Sequence, residues 1–255
     1  MSALRKPVLA GNWKMHKGPT ETRAFFSAFL AQHPVRDDRT VIFFPPAISL
    51  QAAREAVRER PDIRLGVQDI YWERQGAFTG QISAPMAADA GAAFVLVGHS
   101  ERRHVFGETS EQTARKVRAA LDAGLTAVLC VGEILGERRS GRAEAVVREQ
   151  LGAVLPTLDA GDAARLVIAY EPVWAIGTGE TATPWDAAAM HAEVRSRLGE
   201  AFGAERAEGV VILYGGSVKP DNAGELLAAS DVDGVLVGGA SLDPSGFAAI
   251  CAAPA

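Results

Sequence analysis

The chain predicts an α/β fold, a single-domain (β/α)8 barrel (TIM barrel), and three observations lead to that prediction. Eight short apolar runs recur along the chain, and most do not alternate with polar residues, which is typical of strands buried on both faces. Segments with apolar residues at helical spacing lie between these runs, as in the βα units of a parallel sheet. The length of 255 residues is the size of one such barrel.

The predicted strands are rich in Val, Ile, Leu and Phe, and they cover residues 8–10, 40–44, 64–67, 94–97, 126–131, 166–169, 210–213 and 234–237. The predicted helices cover residues 20–31, 50–60, 109–123, 143–155, 184–202 and 222–229. No linker, fixed-period repeat or low-complexity tract divides the chain, so we expect one domain over residues 1–255. A doubly wound open sheet has the same alternation of elements and remains an alternative at this stage.

Composition narrows the classes of function. The net charge is −5 and no basic run stands out, which argues against nucleic acid as the main partner. No apolar stretch reaches the length of a membrane span, and no signal peptide is visible. Cys130 and Cys251 give neither a disulfide framework nor a metal-ligand spacing. We therefore expect a cytoplasmic protein that has no membrane, nucleic-acid or metal partner.

Polar residues stand where several predicted strands end. In a parallel barrel all strand carboxyl ends share one face, and that face carries the active site. The residues that follow the first, fourth and sixth strands include Asn12, Lys14, His99, Glu101 and Glu171. Singly, each has an ordinary explanation, as a turn asparagine, a solvated lysine, a structural histidine or a surface glutamate. Their joint placement at strand ends is what predicts a site.

The stretch from residue 169 to residue 179 combines a carboxylate with a loop that can close. Glu171 stands where the sixth apolar run stops, and Pro172 cannot donate to a sheet ladder, so the strand ends there. Small, apolar and glycine residues follow, before Thr183 and Pro184 mark a capped helix start. We therefore expect an acid beneath a lid.

Glycines follow the seventh and eighth strands and indicate what is bound. Gly215 and Gly216 precede Ser217 in one loop, and Gly238 precedes Gly239 in the other. Backbone N–H groups in glycine loops, with a short helix start behind them, make an anion site, and phosphate sites of these barrels commonly use these two loops. Tight turns without a ligand are the alternative explanation.

The chemistry that fits is proton abstraction next to a carbonyl group. A carboxylate base, an imidazole and a cation stand beside a predicted phosphate site, without a dinucleotide fingerprint or a nucleophile–base motif. A helix start follows His99, and a helix N-terminus disfavours the imidazolium, so His99 is expected to stay neutral and to donate a hydrogen bond.

Six motifs, in order along the chain, resemble the triosephosphate isomerase family. They occupy residues 11–15 (GNWKM), 98–103 (GHSERR), 130–133 (CVGE), 169–179 (AYEPVWAIGTG), 214–218 (YGGSV) and 234–242 (GVLVGGASL). The resemblance covers essentially the whole chain. It implies interconversion of dihydroxyacetone phosphate and glyceraldehyde 3-phosphate through an enediolate, in glycolysis and gluconeogenesis, without a cofactor.

The resemblance also implies roles for individual residues. Glu171 is similar to the general base, His99 to the neutral electrophile and Glu101 to the acidic residue beside that histidine. Lys14 is similar to the cation that holds the anionic substrate, with Asn12 as its hydrogen-bonding neighbour. The implied substrate-binding positions are Asn12, Lys14, Gly177, Ser217, Gly238 and Gly239. The lid that carries Gly177 would exclude water from the reactive intermediate.

The family resemblance implies a homodimer through the loop from Tyr71 to Met86, with Thr79 near its tip. Aromatic side chains in a projecting loop favour an interface, although a loop folded onto its own barrel is the alternative. Three features depart from the usual family pattern, and one of them is Ala84-Pro85, which inverts the usual order of those residues. Gln81 stands where an acid is common, and Glu180 stands where a basic residue is frequent.

Two other functions remain to be weighed against the isomerase. A sugar-phosphate epimerase would keep the barrel and the phosphate site, but it would need metal ligands or an aspartate pair at the strand ends, and we find none in the sequence. A binding protein without activity would have lost Asn12, Lys14, His99 or Glu171, and all four are present.

Overall fold

The computed structural model of the chain describes residues 4–176 and 182–254. Its strands are β1 (Val8–Asn12), β2 (Thr40–Phe44), β3 (Ile63–Val67), β4 (Phe94–Val97), β5 (Thr126–Val131), β6 (Leu166–Tyr170), β7 (Val211–Tyr214) and β8 (Gly234–Val237). Within the described residues these strands pair in parallel, in chain order, and β1 also pairs with β8, which closes a barrel. The barrel prediction is therefore confirmed, and the open-sheet alternative is wrong because the first and last strands are hydrogen-bonded to each other.

Helices lie between the strands and cover the outside of the barrel. They are α1 (Pro19–Leu30), α2 (Leu50–Ala56), α3 (Ala84–Asp89), α4 (Ser100–His104), α5 (Ser110–Asp122), α6 (Leu135–Arg139), α7 (Ala143–Val154), α8 (Pro184–Phe202), α9 (Ala204–Gly209), α10 (Ala223–Leu227) and α11 (Pro244–Ala252). No helix in residues 4–176 or 182–254 is long and apolar enough to cross a bilayer.

The predicted helix over residues 50–60 is too long. Helix α2 ends at Ala56, and Val57 has already left helical geometry, with φ −100° and ψ 14°. Pro61 disfavours helical backbone at the residue before it, and the chain must turn there to enter β3. The predicted loop from Tyr71 to Met86 also contains the start of α3, because the Ser83 hydroxyl accepts the Met86 N–H and caps that helix.

The barrel has two apolar layers. Outward-facing strand residues pack against the helices, and the aromatic rings of Phe25, Phe26 and Phe29 on α1 meet Trp13 and Phe43 there. Inward-facing side chains fill the lumen in a second cluster that consists of Val8, Ala10, Ile42, Phe44, Phe94, Leu96, Val128, Cys130, Val167, Ala169, Val211, Leu213 and Leu236. This packing of the lumen is what makes the barrel a core and not a pore.

Glycine provides the space for one large ring in the lumen. Gly66 faces inward on β3, and a Cβ atom at this position would overlap the ring of Phe44 from the neighbouring strand. The ring of Phe44 is fully buried in this space. The Phe44 ring can therefore fill the lumen only because residue 66 is a glycine, which has no side chain there.

We expect Gly234→Ala to destabilise the barrel at the closure of β1 on β8. A Cβ atom at residue 234 would overlap the backbone carbonyl of Val8, and backbone in a paired strand cannot move aside without loss of hydrogen bonds. The free energy of unfolding in urea should fall by about 1–3 kcal/mol or more. Gly152→Ala on the exposed face of α7 is the control and should raise stability by about 0.5–1 kcal/mol. Equal stability of the two variants would contradict this account.

Candidate active site

Residues from the carboxyl ends of five strands, β1, β4, β6, β7 and β8, meet around one cavity. Its volume is ≈ 290 Å³, and its walls include Asn12, Lys14, His99, Glu171, Ser217, Gly238 and Gly239. The sequence predicted each of these residues for one mouth, and the structure brings them together there. Glu101 lies beside this cavity, where it lines a neighbouring one with Lys14 and His99. Gly177 lies outside the described residues.

Glu171 follows β6 directly and is held on both carboxylate oxygens. Its Oε2 atom accepts the Ser100 N–H at 2.8 Å, and its Oε1 atom lies 2.9 Å from His99 Nε2. The backbone N–H of Glu171 donates to the Val131 carbonyl at 2.8 Å, which ties the residue to β5. The side chain is buried, with 2% of the residue exposed, so these contacts replace water.

Two glycines make room for Glu171. A Cβ atom at Gly132 would overlap the Glu171 carbonyl oxygen, and a Cβ atom at Gly215 would lie 2.9 Å from Glu171 Cγ. Both distances are shorter than those that Cβ atoms show in folded proteins. The glycines after β5 and β7 therefore serve the carboxylate on the strand between them, in addition to any turn that they form.

The environment of Glu171 favours its ionised form. Burial opposes the charge and acts to raise the pKa of this carboxyl group. The His99 ring, the hydrogen bond from Ser100 and the charge of Lys14 act in the opposite direction, and the pKa of Glu171 lies below its ordinary value. The site thus holds a carboxylate that is dry and yet charged, which is the state that a base requires.

His99 is oriented by the first turn of α4. It is the N-cap residue of that helix, and its Nδ1 atom accepts the backbone N–H of Glu101 at 3.3 Å. A nitrogen that accepts a hydrogen bond carries no proton, so the single ring proton is assigned to Nε2, which faces Glu171.

Electrostatics and hydrogen bonding disagree about the charge of His99. Burial acts to lower its pKa, the Glu171 carboxylate acts to raise it, and on balance the pKa lies above its ordinary value. The bond from the Glu101 N–H favours the neutral ring, because a backbone N–H cannot donate to a protonated ring nitrogen. The positive end of the helix also disfavours the imidazolium. The neutral state of His99 therefore stays a prediction.

Lys14 has an unusual backbone conformation, and its side chain lines the cavity. Its φ is 51°, in the left-handed region that few residues other than glycine adopt. The Asn12 Oδ1 atom accepts the Lys14 N–H at 3.0 Å, and Gln68 Nε2 donates to the Lys14 carbonyl at 2.8 Å. Lys14 Nζ lies 2.6 Å from Glu101 Oε1. The turn is therefore fixed by side chains from β1 and from the loop after β3.

The loops after β7 and β8 line the same cavity as Lys14, and Gly238 lies beside the Lys14 side chain. Gly239 begins a short 3-10 helix, Gly239–Leu242, whose first N–H groups have no partner within the helix. The Gly238 carbonyl accepts the Ser241 hydroxyl at 2.7 Å and the Ser241 N–H at 2.9 Å, and Gly238, Gly239 and Ala240 line the cavity. Backbone N–H groups that converge with an ammonium group suit an anion.

Arg103 was not assigned a role from the sequence, although it stands in the motif that contains His99. Its guanidinium donates to the carbonyls of Gly98 at 2.8 Å and Cys130 at 3.2 Å, and to the Ser110 hydroxyl at 3.2 Å. The contact with Gly98 fixes the residue directly before His99. One cation thus joins the ends of β4 and β5 beneath the site, a contact between strands that spacing in the sequence does not reveal.

Glu133 is the second residue that sequence reasoning did not assign. It is fully buried and accepts hydrogen bonds from the Tyr170 hydroxyl at 3.1 Å, from Trp174 Nε1 at 2.8 Å and from Arg138 at 3.3 Å. Trp174 belongs to the 3-10 turn Val173–Ala175, where the predicted lid begins. The carboxylate therefore holds the base of that segment against the loop after β5.

Comparison with known proteins places the chain among named relatives. The family described as Triosephosphate isomerase matches residues 7–254. A protein named triosephosphate isomerase from Solibacter usitatus (strain Ellin6076) is 51% identical over 247 residues, which cover 97% of this chain and 99% of that protein. Proteins of the same name from Roseiflexus sp. (strain RS-1) and Symbiobacterium thermophilum are 52% and 50% identical, over 96% and 99% of this chain and 96% and 98% of their own lengths.

No group of three or more histidine, cysteine, aspartate or glutamate side chains in the described ranges is arranged to hold a metal ion.

We expect the ring of His99 to be neutral, with its proton on Nε2, because its Nδ1 atom is already an acceptor. Nitrogen chemical shifts of the imidazole, measured by NMR on ¹⁵N-labelled protein at about pH 7, should show one protonated and one bare ring nitrogen. His16, which is exposed on a loop, is the internal control and provides the spectrum of a solvent-exposed histidine. Two protonated nitrogens on His99 would contradict the assignment.

Proposed function

The chain belongs to the triosephosphate isomerase family, and from this membership we infer its reaction. The protein is an isomerase that interconverts dihydroxyacetone phosphate and D-glyceraldehyde 3-phosphate by proton transfer through an enediolate, a step of glycolysis and gluconeogenesis. The observation that carries this conclusion to the residues is the pairing of a buried, ionised Glu171 with His99 Nε2, 2.9 Å apart, in a cavity that also contains Lys14.

We propose that Glu171 is the base. It would take a proton from one substrate carbon and return it to the adjacent carbon, which moves the carbonyl group along the chain. Its burial and its lowered pKa support this role, because the carboxylate is held in the ionised form that can accept a proton, at a position from which water is excluded. The Ser100 N–H and His99 are its partners when no substrate is present.

His99 is the electrophile in this proposal. Its Nε2–H, which donates to Glu171 in the substrate-free arrangement, would donate to the substrate carbonyl oxygen and stabilise the negative charge that develops there. A neutral imidazole suits this task, since it keeps its proton through both halves of the reaction. Glu101 supports the role through its backbone N–H, which fixes the ring.

Lys14 and the glycine loops would hold the phosphate. Lys14 and Asn12 occupy one wall of the cavity, and Ser217, Gly238 and Gly239 occupy another. The two walls offer an ammonium group and backbone N–H groups to the same space, as a dianion requires. The predicted lid, including Gly177, would cover this space. Ile176, the last described residue before residues 177–181, already lines it.

We propose that two copies of the chain associate through the loop from Tyr71 to Met86. The rings of Tyr71 and Trp72 are tilted by 31° with centroids 4.0 Å apart, and the centroid of Phe78 lies 4.6 Å from that of Tyr71, so the loop contains a cluster of aromatic contacts. Met86 is 57% exposed and Met15, next to Lys14, is 94% exposed. Exposed apolar groups at the mouth of the barrel support an interface there.

Three expectations stay predictions. They are the extent of the single domain over residues 1–255, the location in the cytoplasm and the lack of a nucleic-acid partner.

We expect Glu171→Gln to reduce kcat for glyceraldehyde 3-phosphate about 10²–10⁴-fold, because the amide keeps the shape of the side chain but cannot accept the proton. Glu149→Gln on the exposed face of α7 is the matched control and should leave kcat unchanged. A coupled spectrophotometric assay measures both. Turnover of Glu171→Gln equal to that of the control would remove Glu171 from the role of base.

We expect Phe78→Asp to convert a dimer into monomers, because a charge would have to be buried in the contact of the loop with a second copy. Sedimentation velocity measures the change. Val35→Asp is the control, since Val35 is 64% exposed before β2, at the other end of the barrel. A native chain that sediments as a monomer, or a Phe78→Asp variant that stays dimeric, would contradict the proposed interface.

A further inference from the structure

A second, larger cavity opens at the amino ends of the strands, opposite the site described above. Its volume is ≈ 590 Å³, against ≈ 290 Å³ for the cavity around Glu171. Phe94, Val167 and Val211, at the starts of β4, β6 and β7, form its inner wall, and Ala163 and Ala164 belong to its outer wall. This volume is within the range of small-molecule sites, which are mostly apolar with a few polar groups.

An arginine stands where the barrel pattern calls for an apolar side chain. Arg64 pairs in register with Ile42 on the neighbouring strand, and Ile42 is a fully buried member of the luminal cluster. Residues paired in register share a face of the sheet, so Arg64 is on the luminal side of β3. Arg64 lines the cavity and remains exposed there. Its guanidinium is therefore accessible to a ligand in this cavity.

The charge of this cavity is opposite to that of the protein. Arg206, on α9, is a second arginine in its lining, and no acidic side chain of the described residues lines it. The chain as a whole has a net charge of −5. Among the described residues, Arg64 has no carboxylate within ion-pair distance, and neither has Arg206. Two guanidinium groups without acid partners, beside an apolar wall, complement an anion that has an apolar body.

We propose that this cavity binds a small amphipathic monoanion, a carboxylate attached to an alkyl chain or an aromatic ring. The carboxylate lies between Arg64 and Arg206 at the rim, and the apolar body packs on Phe94, Val167 and Val211. The proposal does not depend on the isomerase reaction, because the luminal cluster separates this cavity from the catalytic mouth.

The test is a titration of the full chain, in buffer that contains inorganic phosphate, with octanoate, 3-phenylpropionate, octan-1-ol and octylamine. Binding is followed by backbone amide shifts in NMR spectra and by the melting temperature. Octanoate or 3-phenylpropionate should move the amides of Ala93, Thr126 and Gly161, which line the cavity, and should raise the melting temperature. Whichever of the two binds more tightly identifies the body as alkyl or aromatic.

Variants separate the charge from the apolar wall. Arg64→Met should weaken carboxylate binding at least about tenfold, because a charge-assisted contact is lost while the volume is kept. Arg58→Met is the control, since Arg58 is 81% exposed outside this cavity, and it should bind as the native chain does. Arg206→Met provides the same test if Arg64→Met does not fold.

Three results would overturn the proposal. One is the absence of any shift at Ala93, Thr126 and Gly161 with both carboxylates. Another is binding of octan-1-ol or octylamine as tight as that of octanoate, because the arginines would then not favour a carboxylate over a neutral or a cationic group. The third is a set of shifts confined to Gly238 and Gly239, because the anion would then occupy the other mouth.

Discussion

Closure of the parallel barrel is the constraint on which the rest of the structure depends. Val8 on β1 pairs with Thr40 on β2 and with Gly234 on β8. The first and last strands of the chain are therefore hydrogen-bonded to each other. Since all strands are parallel, every carboxyl end then faces one mouth. Asn12, His99 and Glu171 are far apart in the chain and become neighbours only for this reason.

A buried carboxylate imposes demands on the residues around it. Glu171 loses water, so its oxygens need donors, and the Ser100 N–H and His99 supply them. Its backbone needs space, which Gly132 and Gly215 leave open. These requirements reach beyond the side chains that touch a substrate. They explain why short motifs at several strand ends, and not one continuous motif, characterise the site.

Sequence alone predicted the strands well, because strands buried on both faces are continuous apolar runs, and it predicted the helix start at Thr183, whose hydroxyl accepts the Asp186 N–H. It misjudged α2, where local helix propensity extends past the turn that β3 requires. It found the residues of the mouth but not Arg103 or Glu133. Arg103 reaches Cys130 on β5 and Glu133 reaches Tyr170 on β6, and distances between strands are set by closure, which no local pattern encodes.

The ring of Phe44, in the space that Gly66 leaves, has a consequence for the route of solvent. Together with the other luminal side chains it blocks the axis of the barrel, so water that enters at the amino ends does not reach Glu171. Solvent therefore reaches the cavity around Glu171 from the carboxyl end of the barrel. Any isotope exchange between a proton held by Glu171 and bulk water must therefore pass through the mouth, and whatever covers the mouth controls the access of water to that proton.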